Sequence, residues 1–192
     1  MARKRNDGKK QLIIQGVERL ISSHNVNDIS LSDIAKECKI SKGTLFYYYS
    51  SKDEIIFDTM MTHMEEVKIE YDEWLKRHAK DLAPDRFLQV IFYKGSKLYD
   101  RAKMHIFLIN ECMGLNDTLR LKFKEKWTEW RKNIEIGVKE VFPKMQDPEM
   151  YAHLLMLIID GLVVQESLQE HSIDNDKLVI FMRKVGEDNE KQ

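Results

Sequence analysis

The sequence predicts an all-α protein, and three observations carry that prediction. Apolar residues recur at helical intervals along most of the chain, serine- and aspartate-led caps punctuate it, and no segment alternates as a strand would. Only three prolines and eight glycines occur in 192 residues, of which 43% are hydrophobic and 33% charged, so a buried core under a mixed charged surface is affordable. About nine helices are expected, with a head over residues 1–52 and a body over 53–192.

Leu12, Ile13, Val17, Leu20 and Ile21 share one face of a first helix over 11–23, which the stretch SSHNVNDIS breaks. Ser30 and Asp33 form a capping box that opens a second helix, and Leu31, Ile34, Ala35 and Cys38 make its buried stripe. After a tight turn Ser41 caps a third helix reading KGTLFYYY, a helix-turn-helix pattern. Ser51 and Glu54 make another capping box and open a long fourth helix, and Pro84 starts a fifth over 84–102. The sixth, MHIFLINECMG, is apolar nearly all round and is expected to be central and buried, ending at Gly114. The seventh spans 116–142 and stops at Pro143. Asp147 and Pro148 open an eighth that reaches about Gln169, and a ninth covers roughly 174–185.

Charge divides this chain unevenly. Residues 1–52 hold ten Lys/Arg against five acids, 10 − 5 = +5, and since the whole chain is −1 the remainder is −6. The basic share, with Arg3, Lys4 and Arg5 in an N-terminal arm, suits a polyanion-binding head. Two distant cysteines, Cys38 and Cys112, support neither a disulfide framework nor a zinc site, and a reducing, cytoplasmic setting is expected. No apolar run approaches a membrane span, so no membrane partner is expected. No phosphate loop, nucleophile elbow or triad motif occurs; catalysis, metal and cofactor are not expected.

The stretch SLSDIAKECKISKGTLFYYYSSKDEI carries the function. A recognition helix turns its first residues toward base edges, which calls for small or polar side chains there, and Lys42, Gly43 and Thr44 supply them. A tyrosine hydroxyl can donate to a phosphate while its ring packs on the domain, and Lys52 adds a cation at the start of the fourth helix. This stretch resembles the DNA-binding head of the tetracycline-repressor family of bacterial transcription regulators, over about residues 10–57. The resemblance implies that Lys42, Gly43 and Thr44 approach bases or nearby phosphates, that Tyr47 and Tyr48 contact the backbone, that Lys52 neutralises a phosphate, and that Leu45 and Tyr49 are core. Phe46, where the family often has tyrosine, is expected at a thymine methyl, and Ser32 stands where a base-reading arginine can occur. Lys39 replaces a glycine usual in the turn and is expected at positive φ. Ser30 and Ser41, the cap residues, complete the candidate DNA-binding set.

For the body, the resemblance implies a homodimer built from the last two helices on a palindromic operator, with an effector site among helices four to eight. Gly161, Val163, Leu168, Phe181 and Met182 are the candidate dimer contacts. Met60, Met61, Met64, Met104 and Met156, with Phe92, Phe107, Trp127 and Trp130, are candidate walls of an apolar pocket, and core packing is the competing reading of each. His105, Asn110 and Glu111 are polar in a helix expected to be buried, so they are candidate ligand-orienting groups, Glu111 favouring a cation. The function expected is a repressor released by a small apolar, or cationic, effector. The open alternatives are an activator without small-molecule effector and a helical dimeric interaction protein whose head does not read DNA.

Overall fold

The computed structural model describes residues 2–78, 82–96, 99–114, 116–168 and 173–190, with the side chains of 2–7, 94–96, 99–101 and 166 outside that description. The described residues form nine α-helices and no strand: α1 Ala2–Ser23, α2 Leu31–Glu37, α3 Lys42–Tyr48, α4 Lys52–His78, α5 Pro84–Ser96, α6 Tyr99–Met113, α7 Asp117–Val141, α8 Pro148–Ser167 and α9 Asn175–Asn189. A 3-10 turn, Val26–Asp28, lies between α1 and α2. The side chains of Arg3, Lys4 and Arg5, and the expected helix end at Gln169, fall outside the described residues.

The chain divides into two compact units. One contains Met1–Glu66 and Asp100–Arg120, the other Val67–Tyr99 and Leu121–Gln192. The first unit takes in α6 and the turn after it together with the first three helices and the start of α4. Its core takes Ile13, Val17 and Ile21 from the predicted stripe of α1, Ile34, Ala35 and Cys38 from the second helix and its cap, then Leu45, Tyr49, Ile55 and Ile56, while Leu12, Leu20 and Leu31 of those stripes are only half-buried. A Cβ at Gly16 would lie 2.3 Å from Cys38 Sγ, so glycine is what lets α2 settle against α1.

The second unit has its own core. Phe87, Leu88, Val138, Phe142, Ala152, Leu155 and Met182 are buried together, and α5 packs on both α8 and α9. The Tyr151 hydroxyl donates to Met182 O at 2.6 Å, meeting its hydrogen-bonding need inside that core.

Several boundaries differ from the sequence reading. α1 extends back to Ala2: Ala2–Arg5 and Lys9–Lys10 are good helix formers, but Asn6, Asp7 and Gly8 between them and the lack of apolar periodicity hid the helix in the sequence. Of the expected fifth helix over 84–102, α5 covers Pro84–Ser96 and the residues from Tyr99 onward belong to α6, while residues 97–98 lie outside the described residues. α6 is not buried all round, since Ile106, Ile109 and Met113 are exposed at 42%, 37% and 75% while Met104 and Leu108 are buried. Its apolar composition did not specify that neighbours would cover only one side. α9 runs four residues past its expected end at 185.

Candidate nucleic-acid interface

Two capped helices and the turn between them form the site. The Ser30 hydroxyl accepts from Asp33 N at 3.2 Å while the Asp33 carboxylate accepts from Ser30 N at 2.9 Å, the reciprocal capping box. The Ser30 hydroxyl also donates to that carboxylate, holding it below the usual carboxylate range. α2 ends in a Schellman motif: Lys39 N donates to Lys36 O at 3.1 Å and Ile40 N to Ala35 O at 3.0 Å. Lys39 holds the left-handed position at φ 53°, where glycine is the unstrained choice, at a cost of about 1 kcal/mol.

Ser41 caps α3. Its hydroxyl accepts from Thr44 N at 3.0 Å and lies 2.9 Å from the Thr44 hydroxyl. Leu45 and Tyr49 are buried, Tyr49 as an extended residue that ends the helix rather than as part of it. Burial pushes the Tyr49 phenol up, and the Lys10 ammonium stands 5.1 Å from its ring centre. The rest of the helix faces outward. Lys42 and Gly43 are exposed, Phe46 is 53% and Tyr47 78% exposed, and Thr44 and Tyr48 are half-buried. The Tyr47 and Tyr48 rings meet edge to face at 5.1 Å, which restricts both rotamers. Lys36 and Lys39 are exposed nearby in sequence, and Ser32 is half-buried on α2.

Lys52, expected at a phosphate, has partners within the chain. Its ammonium turns inward, donating to Val26 O at 3.1 Å and Asn27 O at 3.3 Å, and it lies 5.1 Å from the Phe107 ring centre.

The expected pocket residues are distributed between the two units. Met60, Met61, Met64, Met104, His105, Phe107, Asn110 and Glu111 belong to the first, whereas Phe92, Trp127, Trp130 and Met156 belong to the second. Met60, Met104 and Phe107 are buried in one unit, as Phe92 and Met156 are in the other. Trp127 and Trp130 are half-buried, with ring centres 5.8 Å apart, and pack on the second core. Asn110 is exposed, so the desolvation argument that singled it out does not apply. His105 is different: burial pushes its imidazole down to about 4.

The dimer candidates separate sharply. Met182 and Val163 are 1% and 4% exposed and fill the protomer's own core, so neither side chain is presented to a partner. Leu168 and Phe181 are exposed at 72% and 63%, and a Cβ at Gly161 would meet nothing within 4 Å. Sequence reasoning missed their companions. Met150, Leu154, Leu157 and Val164 are also exposed, and with Gly161 and Leu168 they recur at intervals of four and three. Those intervals are the a/d spacing of an apolar helix stripe, which was there to be read in the sequence.

Residues 13–59 match the family model described as bacterial regulatory proteins, tetR family. YuxN, an uncharacterized HTH-type transcriptional regulator of Bacillus subtilis, is 32% identical over 81 residues. That match spans 38% of this chain and only 28% of the relative's length. A protein from Saccharomonospora viridis solved in complex with choline superposes with a TM-score of 0.69 at 20% identity, covering 94% of this chain and 96% of that one. The regulator FadR of Bacillus subtilis, solved with stearoyl-CoA, does so at 0.65 with 18% identity, over 92% of this chain and 96% of that one. At such identities these likenesses speak for the fold. With the capped helix pair and the left-handed turn, residues 13–59 are similar to the head of the bacterial regulatory proteins of the tetR family, and the rest of the chain shares the fold of the solved structures.

Proposed function

We propose that the chain is a ligand-responsive transcriptional regulator, not an enzyme, that binds a palindromic DNA operator as a homodimer and represses until a small molecule releases it. The observation that carries the reading is the division of α3: Leu45 and the following Tyr49 are buried while Lys42, Gly43, Phe46 and Tyr47 are turned out to solvent. A seven-residue helix has little stability of its own. Here its inward residues anchor it, leaving the outward ones for a partner. Lys42, Gly43 and Thr44 are assigned to bases and adjacent phosphates, Tyr47 and Tyr48 to the backbone, and Phe46 to a thymine methyl. Ser30 and Ser41 serve by capping the helices that present them, with Ser32 beside the backbone.

The dimer is assigned to the exposed seam on α8 with Phe181 of α9, an isologous contact that would give two heads related by a two-fold axis. A ligand that prefers the arrangement unable to place both heads on fixed half-sites would release the operator. Choline in one solved relative and stearoyl-CoA in another support testing both cationic and acyl effectors.

The test is binding to a duplex from the region upstream of its own coding sequence, titrated against salt beside a scrambled duplex. Preference for the upstream sequence that persists at about 150 mM salt, and its loss with an effector from a choline and acyl-CoA panel, are expected. Equal binding of both duplexes at every salt concentration would sink the DNA-reading assignment.

A further inference from the structure

We propose that Lys52 is a positioning residue that locks the DNA-binding unit from within, acting through the 3-10 turn and Phe107, and is not a phosphate contact. This rests on the DNA-binding reading above. Lys52 is the first residue of α4, where the helix dipole disfavours a cation and favours the acids that follow it, Asp53 and Glu54. Something else must hold an ammonium there. Val26 O and Asn27 O, both in the 3-10 turn, accept from it at 3.1 and 3.3 Å, and the Phe107 ring offers its face at 5.1 Å. Phe107 is 7% exposed and Val26 4%, so charge, carbonyls and ring meet at the edge of the core rather than in open water.

A second ammonium, one turn before Phe107 on α6, does similar work. Lys103 of α6 donates to Ile21 O at 3.2 Å, in the last turn of α1, where helix carbonyls lack internal partners. Asn116 Nδ2, just beyond α6, reaches Asp53 Oδ2 at 3.4 Å. All of these residues lie within the first compact unit. α6 therefore contributes Lys103 to the last turn of α1 and Phe107 to the lysine that holds the 3-10 turn, and that turn leads directly into Ser30 and the capped helix pair. Lys52 closes the arrangement from α4. The lysine sets the pose of α2 and α3, and the phosphates are met by other residues.

Salt dependence separates the two roles. Each phosphate contact contributes about 0.9 to the slope of log K against log salt, whereas an internal lock contributes nothing to it. With the upstream duplex between about 50 and 200 mM salt, Lys52→Met is expected to weaken binding about tenfold with an unchanged slope. Phe107→Leu should weaken it in the same way, and Lys52→Arg, which can still donate to two carbonyls and stack on the ring, should restore binding to within about threefold. A slope reduced by about 0.9 per head in Lys52→Met would overturn the proposal. Hydrogen exchange on the protein alone gives an independent reading: in Lys52→Met the amides of Asp28 and Ile29, which donate to Asn25 O and Val26 O, should exchange faster. Unchanged exchange there also overturns it. If the wild type binds no duplex, the DNA reading fails by itself and the exchange result still decides the lock.

Discussion

Leu157→Ala should weaken the proposed dimer without weakening the protomer. Leu157 is 65% exposed in a single chain and sits in the middle of the α8 seam, three and four residues from Leu154 and Gly161. Truncating a fully buried leucine to alanine removes roughly 2.4 kcal/mol of apolar transfer at about 0.8 kcal/mol per carbon. Scaled to the exposed share available to a partner, that is about 1.5 kcal/mol per protomer. An isologous contact counts the loss twice, so the dissociation constant should rise roughly 100-fold. Alanine is at least as good a helix former as leucine, and the side chain contributes little to the protomer's own core, so thermal unfolding of the monomer should hardly move. Sedimentation velocity over a concentration series reads the shift. An unchanged dissociation constant would refute the seam, and so would a monomeric wild type at concentrations where regulators of this kind work.

Gly137→Ala should destabilise the second unit, because the new Cβ would lie 2.2 Å from Tyr71 Oη and 2.5 Å from Cε2 of Phe87, which is fully buried. Overpacking of about 1–3 kcal/mol outweighs a helix-propensity gain of about 1 kcal/mol, lowering Tm by a few degrees in calorimetry. Tyr47→Phe should weaken duplex binding about tenfold or less for every sequence alike, while Thr44→Ala should relax discrimination between sequences, both measured by competition binding. For His105, held near 4 against a usual 6.5, the unfolded chain takes up a proton that the fold refuses, so stability falls as pH drops from 6.5 toward 4, by up to about 3 kcal/mol. Burial pushes Asp160 up to about 7 from a usual 3.8, so its contribution runs the other way and is lost as pH rises through that interval; His105→Gln and Asp160→Asn should flatten the respective limbs of a stability–pH curve.

How much of this was legible depended on whether local chemistry or long-range packing decided the point. The caps at Ser30, Ser41 and Asp147 follow from residues three positions apart, and each cap makes the bond its sequence implies. Ser51 shows the limit. Its hydroxyl does accept from Glu54 N at 3.2 Å, but the Glu54 carboxylate accepts from Ser50 N and the Ser50 hydroxyl instead of closing the box. Burial in the body was less legible. Val163 and Val164 are adjacent valines, yet one is 4% and the other 48% exposed, because which face of α8 meets α5 depends on residues distant in sequence. Met182 and Phe181 divide in the same manner. The internal partners of Lys52 were hidden for a related reason: a cation on this segment suggests a phosphate, and only the folded chain brings two carbonyls and a ring within its reach.

The aromatic run ties these lines of argument together. Phe46, Tyr47, Tyr48 and Tyr49 are neighbours in sequence but are not a patch, since successive residues of a helix point about 100° apart. Tyr49 leaves the helix for the extended conformation and closes the core with Leu45. Folding needs that much, and gains nothing comparable from Phe46 and Tyr47, which remain largely in water. One exposed ring requires no explanation, but two on the outer face of a helix pinned by its opposite side are a different matter. They stand beside Lys42 and Gly43, on a helix whose first residues are small or polar and whose hydroxyl-bearing ring can reach a phosphate. The same seven residues therefore satisfy the fold from one side and leave a chemically suitable surface on the other, which is why mutation of Tyr47 should be felt in binding and mutation of Tyr49 in stability.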